Sequence, residues 1–511
     1  MNLQQKIGQL IVAGFDGFEI NDHIENLIVN HHVGNVILFE RNCKNPEQVF
    51  KLTQSLQELS MKHNGLPLFI MIDQENGIVN RIFDGITVFP GNMAQSAGAT
   101  LEETAEIAYF TAVGLKTLGV NFNLAPSLDV NNNPKNPVIG SRSFGDCPDV
   151  VAKRGVAYIS GMKKADMIAT VKHFPGHGDT EIDSHLSLPV VPHDSARLES
   201  VELKPFKAAI DAGVQAIMSA HIQFPAWEKD GLPATLSRSI MTTILREKLN
   251  FNGVVVTDCT EMLAIDDLYG TACAAPKALA AGVDIVCISH TEEKQVSALA
   301  EIQKALDAGT LTAEEIDRSL DRILTLKKTY DVNSFLKTTY DEALNNLYIL
   351  EAEVLAEKVS ENSVELVKNG RNLPITDRKT LVIAPDGRPL TGADGLRITP
   401  NFADFLAQQQ GEHVTPLKIS ATLSMDDIDS AARKASEHEL VILCTQNALF
   451  DDKQQDLVQE IFKANPNVVL IPLRNPHDIS LFPEIPTYII PYEYTLRSMA
   501  SIAKLLLNSD I

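Results

Sequence analysis

Eight short apolar runs recur through the first three hundred positions, and nothing else in the chain restricts its fold as strongly. They occupy residues 9–15, 35–40, 68–73, 121–125, 168–172, 216–220, 253–258 and 284–289. Nearly all are apolar throughout instead of alternating with polar residues, the pattern of strands buried on both faces. Helical segments lie between them, several with their ends written in the sequence. Asn45 before Pro46 reads as an N-cap followed by proline at the first helical position. Thr100 with Glu103 and Thr312 with Glu315 have capping-box spacing, and Gly119 is a helix stop. Eight strand–helix units in succession predict a (β/α)8 barrel of the TIM type, with an open doubly wound sheet as the alternative.

At 511 residues the chain has room for more than one domain. After a charged amphipathic helix over 312–330 the pattern changes. A helix over 351–363, a strand and turn over 366–375, and strands at 380–384, 440–444, 468–472 and 488–491 predict a second, smaller α/β sandwich. The expected division is a catalytic barrel over 1–335, a linker over 336–350 and a C-terminal α/β domain over 351–511. The first strand of that domain runs into Pro385-Asp386-Gly387-Arg388, which lacks G-x-G-x-x-G spacing, so no nucleotide site is inferred. No cofactor is expected.

Charge and cysteine usage narrow the class further. A formal charge of -22 repels nucleic acid and anionic membranes, so neither is an expected partner. The six cysteines are scattered without a C-x-x-C pair, which fits reduced thiols and a cytoplasmic location. The apolar run over 7–15 follows one basic residue, lacks an A-x-A site and precedes acidic Asp16 and Glu19; it reads as a strand and not a signal peptide. No apolar stretch is long enough to span a bilayer. The sequence is silent on oligomeric state.

Polar residues gather at the carboxyl ends of the expected strands. Asp73 closes the third, Lys172 and His173 the fifth, His221 follows the sixth and Asp258 ends the seventh. In a barrel these ends ring the mouth where active sites form. The densest stretch, 172–185, reads KHFPGHGDTEIDSH. It admits three readings: a solvated polar turn, a metal site built from His173, His177, Asp179, Asp183 and His185, or acid–base catalysis by Asp183 and His185. A carboxylate at a rigid strand end, such as Asp258, is placed to attack an electrophilic carbon, or else caps the following helix. Arg81 and Arg142 are donors for hydroxyl, carboxylate or phosphate groups, or members of structural ion pairs.

The stretch 172–185, with Leu188-Pro189 after it, resembles the K-H-F-P-G-H-G-D-T-x-x-D-S-H signature of the bacterial β-N-acetylglucosaminidases of glycoside hydrolase family 3. Ile72-Asp73-Gln74-Glu75, Asn123-Leu124-Ala125-Pro126 with Asp129, Ile139-Gly140-Ser141-Arg142-Ser143-Phe144 and Val256-Thr257-Asp258 agree with it. Residues 364–374 and the later strands are similar to the second domain of its two-domain members. The resemblance implies roles. Asp258 would be the nucleophile of a retaining mechanism, His185 the general acid and base, and Asp183 its orienting partner on a mobile loop. Asp73, Arg81, Arg142, Lys172 and His173 would bind the terminal N-acetylglucosamine.

Two departures stand out. The family's D-Q-E-G-G-R-V-x-R appears with Asn76 in place of a glycine and Ile78 in place of an arginine, and Cys259-Thr260-Glu261-Met262 after the nucleophile is unusual. The metal reading recedes, because Pro175 and Gly176 keep His173 and His177 off a common helical face. The expectation is a β-N-acetylhexosaminidase that removes N-acetylglucosamine from small carbohydrates such as muropeptides. A phosphorylase of the same fold and a metal-dependent barrel hydrolase are the alternatives.

Overall fold

A computed structural model describes residues 1–184, 187–387, 389–395, 397, 399–420 and 422–508. Eight parallel strands close on themselves in sequence order: β1 (Ile11–Ala13), β2 (Asn35–Leu38), β3 (Phe69–Ile72), β4 (Phe122–Asn123), β5 (Ile168–Phe174), β6 (Ala216–Ser219), β7 (Val254–Cys259) and β8 (Ile285–Ile288). β8 returns to β1 with Cys287 opposite Val12. Every residue of β1 to β6 and of β8 is buried, so a strand here needs apolar side chains on both faces. The expected helix ends are present: Asn45, Thr100 and Thr312 each accept a backbone N–H, and Glu103 and Glu315 complete two capping boxes. Gly119, at φ 81, turns the chain out of the helix Leu101–Thr117.

The first strand is shorter than the sequence implies. Residues Leu3–Gly8 are helical, capped by Asn2 and Gln5, and Gln9 ends that helix. The apolar run therefore begins in a helix and becomes a strand only at Ile11. Capping chemistry overrides the continuous hydrophobicity.

The second sheet has six strands in the order β11-β10-β12-β13-β14-β9. These are β9 (Glu365–Lys368), β10 (Thr380–Pro385), β11 (Val414–Ile419), β12 (Leu440–Thr445), β13 (Val468–Pro472) and β14 (Thr487–Ile490). Only β9 runs antiparallel. Helices Phe402–Gln410 and Leu496–Leu507 cover one face and Met425–Ser436 and Asp452–Ala464 the other, each over its own apolar core. The sequence reading omits β11, because it is an edge strand with Pro416 inside it and mostly exposed side chains.

Several contacts dock this sheet onto the barrel. The helix Leu350–Ser363 contributes Ala352, Leu355, Ala356 and Val359 to a cluster with barrel residues Phe89 and Ile107. It lies so close that a side chain at Gly98 would meet the Val359 carbonyl at 2.4 Å. Glu493, just beyond β14, is buried and accepts the Gly91 N–H at 2.7 Å. Burial pushes its carboxyl up to about 7. The folded protein holds that proton while the unfolded chain releases it near 4.5. This group's contribution is therefore complete below about pH 4.5 and declines as pH rises through about 7. The melting-temperature advantage of the parent over Glu493→Gln should therefore shrink as pH rises across that range.

Candidate active site

Asp258 is the penultimate residue of β7, at the carboxyl mouth of the barrel, and one of its carboxylate oxygens accepts the Cys259 N–H at 2.7 Å. The strand end is braced from β6. His221 bonds through Nδ1 to the Thr235 hydroxyl at 2.9 Å and through Nε2 to the Cys259 carbonyl at 3.0 Å. His221 thus positions the segment that carries Asp258 and does not face substrate as a free imidazole. Asp258 opens into a cavity of about 390 Å³ that Asp73, Arg81, Arg142, Lys172 and His173 also line. Six of the eight residues to which the resemblance assigns a role are therefore together. Asp183 lies on the loop after β5, half-buried, and is not among the lining residues. His185 falls outside the described residues.

Opposite charges alternate around the floor. Lys172 Nζ lies 2.7 Å from both Asp73 and Glu75, and Arg142 forms a two-pronged pair with Glu75 at 2.7 and 3.0 Å. Burial favours the neutral form of Glu75, but Arg142 and Lys172 outweigh it and hold the carboxyl far below its usual range. Burial would likewise lower Lys172, and Asp73 and Glu75 reverse the shift upward. Glu75, Lys172 and Arg142 are therefore charged in the folded protein. The end of β3 is itself fixed by Asn123, whose amide both donates to and accepts from the Gln74 backbone.

A second buried carboxylate organises β5 and the loop after it. Asp129 accepts the backbone N–H groups of His173 and His177 at 3.1 and 2.7 Å and bonds His173 Nδ1 at 2.7 Å. Burial opposes its ionisation, yet His173 and these N–H donors keep its carboxyl well below the usual range. His177 takes no part in the cavity. Its ring nitrogens bond to the hydroxyls of Thr180 and Ser184, each at 2.9 Å, and burial lowers its pKa to about 4. It is a neutral tie within the loop. Gly178 presses on the Val130 carbonyl at a distance that leaves no room for a Cβ. Neither Glu75 nor Asp129 is named as a site residue from sequence, although both lie within the quoted motifs.

The second domain supplies part of the wall. Gly392, Ala393 and Asp394 line the cavity, and Arg81 donates to the Ala393 carbonyl at 3.0 Å. The Gly395 N–H donates to Ile78 at 2.9 Å, so the position where the family has arginine instead receives this loop through its backbone. Buried Arg474 clamps Asp394 at 2.6 and 2.8 Å. No sequence signal links residues so far apart. Asn76, the other departure, sits at φ 73, a conformation that asparagine tolerates nearly as glycine does.

These features define a parallel barrel with a charged cavity at its carboxyl mouth, and comparison with known proteins gives its family. The profile of the glycosyl hydrolase family 3 N terminal domain matches residues 2–326. A β-hexosaminidase A from Pseudoalteromonas piscicida is 38% identical over 71% of this chain, and the match spans 64% of that relative's length. A β-hexosaminidase from Xylella fastidiosa strain M23 is 34% identical over 55% of this chain and 84% of its own. Among solved structures, a glycoside hydrolase family 3 β-N-acetylglucosaminidase from Paenibacillus sp. str. FPU-7 superposes with a TM-score of 0.93 at 38% identity, covering 99% of this chain and 97% of its own. The chain belongs to glycoside hydrolase family 3.

The buried carboxylates give an acid-limb prediction. Glu75 and Asp129 ionise near 4.5 and 3.8 when unfolded and far lower when folded. Their stabilisation is thus present above those values and lost as pH falls below them. Glu75→Gln and Asp129→Asn should each cost about 3–5 kcal/mol at neutral pH, because they leave buried partners uncompensated. Both should also make stability less sensitive to acid, as read by urea midpoints between about pH 6 and 3.

Proposed function

We propose that this chain is a retaining, exo-acting β-N-acetylglucosaminidase that removes terminal N-acetylglucosamine from small β-glycosides, peptidoglycan fragments among them, in the cytoplasm. The observation that carries the reading is Asp258 at the end of β7, opening into one cavity with Asp73, Arg81, Arg142, Lys172 and His173. The named activities of the similar relatives support it. The barrel over 1–335 would be the catalytic unit, with the domain over 351–511 walling its mouth and residues 336–350 joining them.

In this reading the Asp258 carboxylate attacks the anomeric carbon while the bond to the aglycone breaks. The departing oxygen takes a proton from His185, which Asp183 orients. A water then attacks the same carbon, His185 takes its proton back, and Asp258 leaves as a free carboxylate with configuration retained. Asp73, Arg81, Arg142, Lys172 and His173 hold the sugar's hydroxyl and acetamido groups. The buried network holds Asp73, Arg142 and Lys172 in place in advance, so little reorganisation is needed as the transition state forms. A histidine in place of the second carboxylate repels anions less, which lets phosphate compete with water as acceptor.

The test follows the products from an aryl N-acetyl-β-glucosaminide with and without phosphate. Free N-acetylglucosamine is expected in both; the sugar 1-phosphate as main product would favour the phosphorylase. Asp258→Ala should abolish turnover while the fold persists. His185→Ala should cost roughly 10²–10⁴-fold on a disaccharide and much less on the activated aryl glycoside, which leaves without a proton. Equal loss on both substrates would remove His185 as proton donor.

A further inference from the structure

The wall beside Asp258 carries donor atoms that glycoside cleavage leaves unused. Cys259 Sγ, a carboxylate oxygen of Glu261 and a ring nitrogen of His290 all lie within 4.8 Å of one another. Two strand ends bring them together. Cys259 closes β7 and stands in register with Cys287 of β8, and His290 follows β8 by two residues. The group is held in place before any ligand arrives. Glu261 accepts the backbone N–H groups of His290 and Thr291 at 2.6 and 3.2 Å, and the His290 ring packs on Phe39 at 5.4 Å. All three residues line the same cavity as Asp258.

A thiol, an imidazole and a carboxylate with donor atoms this close form, once the thiol is deprotonated, a donor set for a tetrahedral, borderline-soft cation with one position left for water. Sulfur and nitrogen donors select zinc-like ions over magnesium or calcium, which take oxygen ligands. The opposing charge is Arg41, whose guanidinium also faces Cys259 and Glu261. It is already engaged by Asp16 at 2.6 Å and by the carbonyls of Phe15 and Ser289. We propose that Cys259, Glu261 and His290 form a site for a thiophilic divalent cation of the Zn²⁺ class, and that its occupation inhibits the enzyme. Binding would release the Cys259 proton to solvent and set a positive ion beside Asp258, where it obstructs the sugar and lowers the carboxylate's nucleophilicity.

The inhibitory half rests on the glycosidase reading; the binding half does not. The full chain, kept reduced, is titrated with Co²⁺, whose thiolate complex absorbs in the near ultraviolet, and Zn²⁺ is then used as competitor. One equivalent should give the thiolate band and Zn²⁺ should erase it. Cys259→Ser should lose the band, and His290→Ala should weaken binding about tenfold or more. Cys273→Ser, which alters an exposed thiol elsewhere, should retain it. Zn²⁺ inhibition is scored against each variant's own metal-free rate. The parent should be inhibited and restored by chelator, and Cys259→Ser should need about tenfold more Zn²⁺ or higher. Absence of the band, or its survival in Cys259→Ser, overturns the site. A genuine Co²⁺ complex whose Zn²⁺ counterpart leaves an active enzyme unhindered overturns the inhibitory role. A protein that binds metal at Cys259 but cleaves no glycoside refutes the proposed activity and leaves the site standing.

Discussion

Lys172 is the group on which the architecture of the mouth depends. Its ammonium is buried and lies equally close to Asp73 and Glu75, and Glu75 in turn is gripped by Arg142. A lone charge at that depth would be prohibitively costly. Two cations and two anions in alternation satisfy one another, and the arrangement joins the ends of β3 and β5 to the segment that carries Arg142. The network therefore serves two ends at once. It holds strand termini at fixed separations, and it presents charged side chains to the cavity without the rotational freedom that surface residues have.

Asp129 does for the loop after β5 what Lys172 does for the floor. It gathers two backbone amides and one imidazole, and so sets where the chain leaves the barrel. The loop then continues through His177, Thr180 and Ser184, whose mutual hydrogen bonds occupy the second histidine of the motif. Two histidines that look alike in a string of letters thus have separate employments: His173 at the cavity and His177 inside the loop.

The barrel was legible because strands buried on both faces must be apolar throughout, and eight such runs leave few topologies. The positions of Asp73, Lys172, His173 and Asp258 followed from strand ends alone. The remainder was hidden for identifiable reasons. Glu75 and Asp129 act by holding other residues, and spacing carries no mark of that. β11 is a half-exposed edge strand that contains a proline, so neither hydrophobicity nor propensity reveals it. The last residues of the helix Leu3–Gly8 fall at the start of an apolar run that begins at Ile7. Ala393 meets Arg81 across more than three hundred residues of chain, a relation that only the folded protein expresses.

That last contact bears on when the cavity comes into being. During synthesis the barrel strands emerge first, and a chain released as far as β8 already contains Asp258 and every charged residue of the floor. Its mouth lacks one side until residues 392–394 arrive, and Arg474, which clamps Asp394, follows 80 residues later in the chain. A nascent barrel therefore spends most of the synthesis of the second domain with its binding face unfinished. Completion of the vessel is tied to completion of the polypeptide, so partial products of translation would carry the reactive groups without the enclosure around them.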